Sequence, residues 1–86
     1  MNRYSVRWRK EAEAQLAALW IRARNKDAIT MYAHQIETIL SRDPHDQGES
    51  RDLDTRLAFS RPLAFRFHIH EELKVVTVLA IKWVGR

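Results

Sequence analysis

The apolar side chains change period twice along this sequence, from two residues to nearly four and back to two. Residues 2–9 alternate: Tyr4, Val6 and Trp8 take one side, and Arg3, Ser5, Arg7 and Arg9 the other. That is the pattern of a half-buried strand with a basic outer face. Over residues 10–24, Ala12, Leu16, Leu19, Trp20 and Ala23 recur at helical spacing in a stretch rich in Ala, Glu and Gln. Asn25 or Asp27 is placed to cap a second helix. Its stripe is Ile29, Tyr32, Ala33, Ile36, Ile39 and Leu40, and Pro44 stops it, because the residue before a proline disfavours helix. A break confined to residues 24–27 predicts an antiparallel helical hairpin.

Residues 43–54, DPHDQGESRDLD, carry turn formers and little apolar surface, which reads as a loop bent at Gly48. Beyond it the period returns to two. Arg56 to Ser60 reads as a short strand with Leu57 and Phe59 turned inward, and Arg61-Pro62 as a break or edge position. Leu63, Phe65, Phe67 and Ile69 alternate with Arg66, His68 and His70. Glu71-Glu72 marks a turn. Lys74 to Trp83 is a β-branched run, apolar on both faces, suited to the middle of a sheet. The expected fold is α+β: an N-terminal strand, an antiparallel helical hairpin, then a three-stranded antiparallel meander, with the helices packed on one sheet face. The first strand joins the sheet by pairing with a later one.

Composition narrows the function. A chain of 86 residues is a single domain, 1–86, with a thin core. It has no cysteine, which excludes disulfides and thiolate zinc sites. Two glycines and two prolines leave no Gly-rich phosphate loop and no Pro-rich ligand. The longest apolar runs fall short of the ~20 residues that cross a bilayer, so no membrane partner is expected. The start, Met1-Asn2-Arg3-Tyr4, lacks the apolar stretch of a signal peptide, and a cytoplasmic location is expected. The net charge is +4, and it is unevenly spread. Segment 43–54 holds a net −4, which leaves +8 on the rest of the chain. Such separation of signs points to a patch for an anionic partner, with ordinary solubility charge as the bland alternative.

If the odd residues of 63–69 pack under the helices, Arg66, His68 and His70 stand on the open sheet face. Arg7 and Arg9 share that face or its rim, and Arg56 joins it if Leu57 and Phe59 point in. Arg61, Lys82 and Arg86 extend the patch. Two uses follow. In one, arginines hold an RNA backbone and stabilise the charge of a pentacoordinate phosphate while a histidine moves protons. Attack by the adjacent 2′-hydroxyl needs neither metal nor cofactor. In the other, the same face grips a protein without chemistry. His68 and His70 also fit plain outer-face polar residues. His34 is expected to face solvent, His45 lies in the acidic loop, and clustered arginines oppose a metal site. Trp8 and Trp20 are expected in the core, while Trp83 either covers the sheet end or stacks on a base.

The order and pattern of YSVRW, the helical hairpin through SRDP, the Gly-containing loop and RLAFSRPLAFRFHIHEELKVVTVLAIKW resemble the RelE/ParE superfamily of type II toxin–antitoxin toxins. The resemblance covers nearly the whole chain. It implies a small α+β domain whose RelE-like members cleave mRNA on the ribosome and whose ParE-like members inhibit DNA gyrase. It also implies an antitoxin whose C-terminal segment wraps the toxin, usually docking on the helical hairpin. Arg66 matches the arginine that RelE-like nucleases use at the phosphate, Lys82 lies near a later basic residue, and Glu49 falls in the loop where some place a general base. The sequence departs from that pattern at its end. Lys82-Trp83-Val84-Gly85-Arg86 has no tyrosine or histidine, and an acidic stretch replaces the loop lysines of some members. Three functions therefore stand as expectations: an endoribonuclease acting on translated mRNA, a gyrase inhibitor without enzymatic activity, and a binding module with the toxin fold. Homodimerisation stays open.

Overall fold

The structure is a computed structural model, and it describes residues 3–50 and 55–85. The elements follow the expected order: β1 (Ser5–Trp8), α1 (Lys10–Arg22), α2 (Lys26–Arg42), β2 (Glu49–Ser50), β3 (Thr55–Ser60), β4 (Leu63–His70) and β5 (Val75–Trp83). Short 3-10 turns occupy Pro44–Asp46 and Glu71–Leu73.

Local chemistry explains the helix bounds. Glu11 and Glu13 lie in the first turn of α1 and Arg22 in the last, matching the helix dipole. The Lys26 ammonium then closes α1: it donates to the carbonyls of Trp20 (2.9 Å), Ile21 (3.1 Å) and Ala23 (3.3 Å). Asn25 begins α2, its Oδ1 accepting the Ala28 N–H at 3.1 Å. Pro44 is buried where α2 gives way to the 3-10 turn.

The five strands form one sheet in the order β1-β5-β4-β3-β2. β3, β4 and β5 are the expected antiparallel meander, with Arg61 and Pro62 closing the β3–β4 hairpin through a cis peptide bond. The sheet as a whole is mixed, because β1 pairs with β5 in parallel, Val6 beside Val76 and Trp8 beside Val78. The parallel pairing follows from connectivity: the helical hairpin returns the chain to the far side of the sheet before the meander begins. Segment 43–54 is more structured than a plain loop. It holds the Pro44–Asp46 turn and the short β2, which adds a fifth strand beside β3. Residues 51–54 lie outside the described residues.

A bulge sets the facing of β5. Arg66 pairs with Ala80 while Phe67 pairs with Val78, so Leu79 is the extra residue. The inserted residue shifts parity, and Val76, Val78 and Ile81 all reach the same face. They join Leu63, Phe65, Phe67 and Ala58 against Ala12 of α1 and Ile36 and Leu40 of α2. The rings of Phe65 and Phe67, 5.7 Å apart, are fully buried, each worth roughly 2 kcal/mol. Trp8 packs at the margin of this core and donates its indole N–H to Glu37 at 2.7 Å, tying β1 to α2. Trp20 corrects the expectation from helical spacing. It is 43% exposed, on the flank of α1 rather than beneath it, because Ala12, Leu16 and Leu19 already fill the sheet-facing stripe.

Candidate functional site

The sheet face away from the helices is built from cross-strand rows. Partnered residues share a face, so register alone places the side chains. One row runs Glu49, Leu57, Arg66, Ala80 across β2, β3, β4 and β5. The next runs Phe59, Ala64, Lys82. A third runs Thr55, His68, Thr77, Arg7, and a fourth His70, Val75, Ser5.

Arg66 and Lys82, from adjacent rows, border one depression of about 440 Å3 whose walls include Leu57, Phe59 and Gln15 from the middle of α1. Its floor is low because Ala64 and Ala80 stand where larger side chains would fill it. Gln15 is fixed there by accepting the Ile81 N–H at 2.8 Å, on the stretch of β5 beyond its pairing with β1. Both cations are exposed, and neither forms an ion pair or hydrogen bond among the described residues. Two cations beside apolar walls suit a phosphodiester with an attached planar group. They hold charge without satisfying it internally.

His68 and His70 are separated from that depression. Their rings meet edge to face at 6.1 Å and line a shallower hollow of about 320 Å3 with Glu71 and Glu72. The sequence expectation put Arg66, His68 and His70 together on the open face, and the register has all three there, with His68 in the row next to that of Arg66, beside Thr77 and Arg7.

Three further cations fall elsewhere. Arg56 faces the opposite way from the expectation: it pairs with Phe67 on the helix side, while Leu57 and Phe59 face outward. Its guanidinium is spent on the backbone, Nε donating to the Gln47 carbonyl at 2.9 Å and Nη2 to that of Gly48 at 3.1 Å. Arg9 lies past the end of β1 and pairs with Glu11 at 3.1 Å. Arg61 is exposed at the β3–β4 turn. Arg86 lies outside the described residues.

Sequence reasoning missed two features. The first is the outward Leu57 and Phe59. The two-residue link at Arg61-Pro62 pairs Ser60 with Leu63, and counting back from that pair would have found them. The second is a polar cluster at the other end of the sheet. Glu71 accepts from the Tyr4 hydroxyl at 2.8 Å and from His45 Nε2 at 2.7 Å, and its second oxygen contacts the Lys74 ammonium. Those three donors, His45 foremost, hold the Glu71 carboxyl down at about 2. The residues come from three separate segments, and only the Glu71–Lys74 pair is close in sequence, so no spacing announces Tyr4 and His45.

On the helix side, a groove of about 590 Å3 runs between α1 and α2. Trp20, Ile21, Leu16 and Ala33 supply its apolar surface, and Glu13 and Glu37 its acidic rim. Ile21 is 70% exposed there. Trp83 ends β5 and lines another hollow at the hairpin turn with Leu19, Tyr32 and Arg22.

The backbone as a whole superposes on solved toxins. The toxin–antitoxin complex RelBE2 of Mycobacterium tuberculosis matches with a TM-score of 0.79 at 21% identity, over 99% of this chain and 97% of that one. This is the RelE/ParE toxin fold. The same fold appears in the chromosomal ParDE system of P. aeruginosa, with a TM-score of 0.73 at 19% identity over 99% and 100% of the two chains. The archaeal RelE–RelB complex of Pyrococcus horikoshii gives 0.69 at 21% identity over 100% and 99%. No protein-family profile and no curated protein matches the sequence. The RelE/ParE fold thus spans the whole chain, and its meander carries Arg66 on the open face.

Proposed function

We propose that this chain is the toxin of a toxin–antitoxin pair and that it cleaves mRNA on the ribosome, without a metal, in the cytoplasm. The observation that carries the reading is the depression shared by Arg66 and Lys82 on the open sheet face. In this reading Arg66 donates to the non-bridging oxygens of the scissile phosphate and gains strength as charge builds there. Lys82 holds the neighbouring backbone. The 2′-hydroxyl attacks phosphorus, the bond to the 5′-oxygen breaks as that oxygen takes a proton from water, and a 2′,3′-cyclic phosphate results. Glu49, in the same cross-strand row as Arg66, is the carboxylate placed to take the 2′-hydroxyl proton. The antitoxin docks on the apolar groove between α1 and α2, where Trp20 and Ile21 stand exposed. The solved complexes that share the fold hold antitoxins, which supports a partner of that kind.

The test is purified protein added to ribosomes translating a defined mRNA, with cleavage mapped by primer extension. Cutting that Arg66→Ala reduces about a hundredfold or more is the expected result. Intact mRNA at micromolar protein overturns the nuclease reading. A second reading, a gyrase inhibitor that cleaves nothing, is favoured by one observation: neither histidine enters the Arg66 depression. Loss of gyrase supercoiling with intact mRNA selects it. Harmless overexpression without the antitoxin removes both and leaves a binding module.

A further inference from the structure

Phe59 is 60% exposed on an open sheet face, in a chain with little core to spare. Strand alternation had every opportunity to bury it. Ala58 occupies the inward position against Phe65 instead, and the larger ring is held in solvent. Its row explains what it faces. Ala64 lies beside it on β4, and Lys82 beyond that on β5. Phe59 and Lys82 are thus two strand spacings apart, roughly 9.6 Å, across a floor of alanine. Arg66 stands in the adjacent row, with Leu57 between it and Glu49. A slot of that width, with an aromatic wall on one side and cations on two others, fits a flat group joined to an anion.

We propose that Phe59 is the base-stacking residue of this site: one unstacked nucleobase of single-stranded RNA lies against its ring, over Ala64, while Arg66 and Lys82 hold the flanking phosphates. The proposal rests on the RNA reading above and adds the residue that positions the nucleotide. Charge complementarity selects RNA over an apolar peptide, since two of the walls are cationic and no acid partner neutralises them among the described residues. Every base has a π-face, so stacking on Phe59 is tolerant of sequence and acts on affinity and register. Phe59 touches the substrate in this arrangement. The bond changes stay with the phosphate, so it takes no part in proton transfer.

The experiment is fluorescence anisotropy at low salt, with a short unstructured labelled RNA and a fully abasic strand of equal charge. Wild-type protein, Phe59→Ala, Phe59→Tyr and Arg66→Ala are compared, after thermal unfolding confirms that each is folded. Phe59→Ala is expected to weaken RNA binding about 5- to 100-fold and leave abasic binding unchanged. Phe59→Tyr should retain affinity, and Arg66→Ala should weaken both strands. If Phe59→Ala binds RNA as the wild type does while Arg66→Ala does not, stacking is overturned and the RNA reading survives. If the wild type binds RNA and abasic strand equally, stacking is likewise overturned. If the wild type binds neither strand, the RNA reading falls and stacking falls with it. If Phe59→Ala impairs only capture of gyrase or the antitoxin, the ring is a protein contact and the proposal is wrong.

Discussion

Arg56 holds Gln47 in place: its Nε donates to the Gln47 carbonyl at 2.9 Å, bridging the segment before β2 and the strand after it. The same guanidinium donates to Gly48. A charged donor to a half-buried carbonyl such as that of Gln47 is worth more than a neutral one, and its loss leaves that carbonyl without its partner. Arg56→Ala is expected to destabilise the fold by about 1–2 kcal/mol in urea unfolding. Arg56→Lys should recover only part of that, because an ammonium cannot reproduce the planar fork. Cleavage measured on folded protein should change little, which separates Arg56 from Arg66.

Gly48 lies directly against β3. A Cβ there would sit 2.1 Å from the Leu57 carbonyl oxygen and 2.8 Å from Ala58 Cα, and its φ is +68°. Both obstacles are sheet backbone, so nothing flexible can move aside. Gly48→Ala is expected to cost about 2–4 kcal/mol, lowering the melting temperature by roughly 10–25 °C. A melting curve that matches the wild type would show that β2 can detach at no cost.

These two residues also mark where the sequence was readable. The alternation of Leu63 to His70 gave the inward and outward sides of β4 without error, because large apolar and polar residues alternate there. The same reasoning inverted β3. In Arg56-Leu57-Ala58-Phe59-Ser60 the bulky residues look like the core set, yet Phe65 and Phe67 leave room inside only for Ala58. The facing of Arg56, Leu57 and Phe59 was then set by the hairpin register rather than by hydrophobicity. In β5 the run is apolar on both faces, so no alternation revealed the bulge at Leu79. Helical spacing found the stripes of α1 and α2 but could not tell a flank from a centre, and Trp20 fell on the flank. Arg66 and Lys82 were legible as candidates. That the histidines line a different hollow from Arg66 and Lys82 depended on the shape of the face, which no sequence pattern carries.

The Glu71 cluster makes stability pH-dependent. The carboxyl sits at about 2 in the folded protein, against an ordinary 4.5, because His45, Lys74 and Tyr4 all favour its charged form. A depressed carboxyl contributes stability above its unfolded value and loses it as pH falls through the folded value. Stability should therefore decline between about pH 5 and pH 2. At the alkaline end Tyr4 and Lys74 are both raised, each chiefly by its hydrogen bond to Glu71, so their contribution is lost as pH climbs past their ordinary values. Chemical denaturation of Glu71→Gln across pH should show both slopes flattened. An unchanged acid slope would assign the acid sensitivity to other carboxylates.

The hairpin groove and the open face should fail independently. Trp20→Ala and Ile21→Ala remove exposed apolar surface on α1, in a groove that shares no lining residue with the Arg66 depression. Truncating a central aromatic anchor typically costs 2 kcal/mol or more at an interface, about a 30-fold loss of affinity. Antitoxin binding measured by calorimetry should weaken by that amount, while cleavage by the free toxin is retained. Equal loss of both would mean that the groove supports the active face.

Substitution of the two histidines decides how the open face is divided. His68 and His70 line their own hollow beside Glu71 and Glu72, whereas Lys82 shares the depression with Arg66. If proton transfer belongs to Glu49 and charge stabilisation to Arg66, neither imidazole touches the scissile phosphate. His68→Ala and His70→Ala should then leave the single-turnover cleavage rate within about twofold of wild type, and Lys82→Ala should lower it roughly tenfold or more. The pH dependence gives a second readout. An imidazole base would leave an ionisation in the rate profile that its own substitution removes. A profile unchanged by either histidine substitution, together with a rate sensitive to Glu49→Gln, assigns the base to β2. A rate that collapses in His68→Ala alone returns the chemistry to the row of Arg7 and Thr77 and makes Arg66 a phosphate anchor.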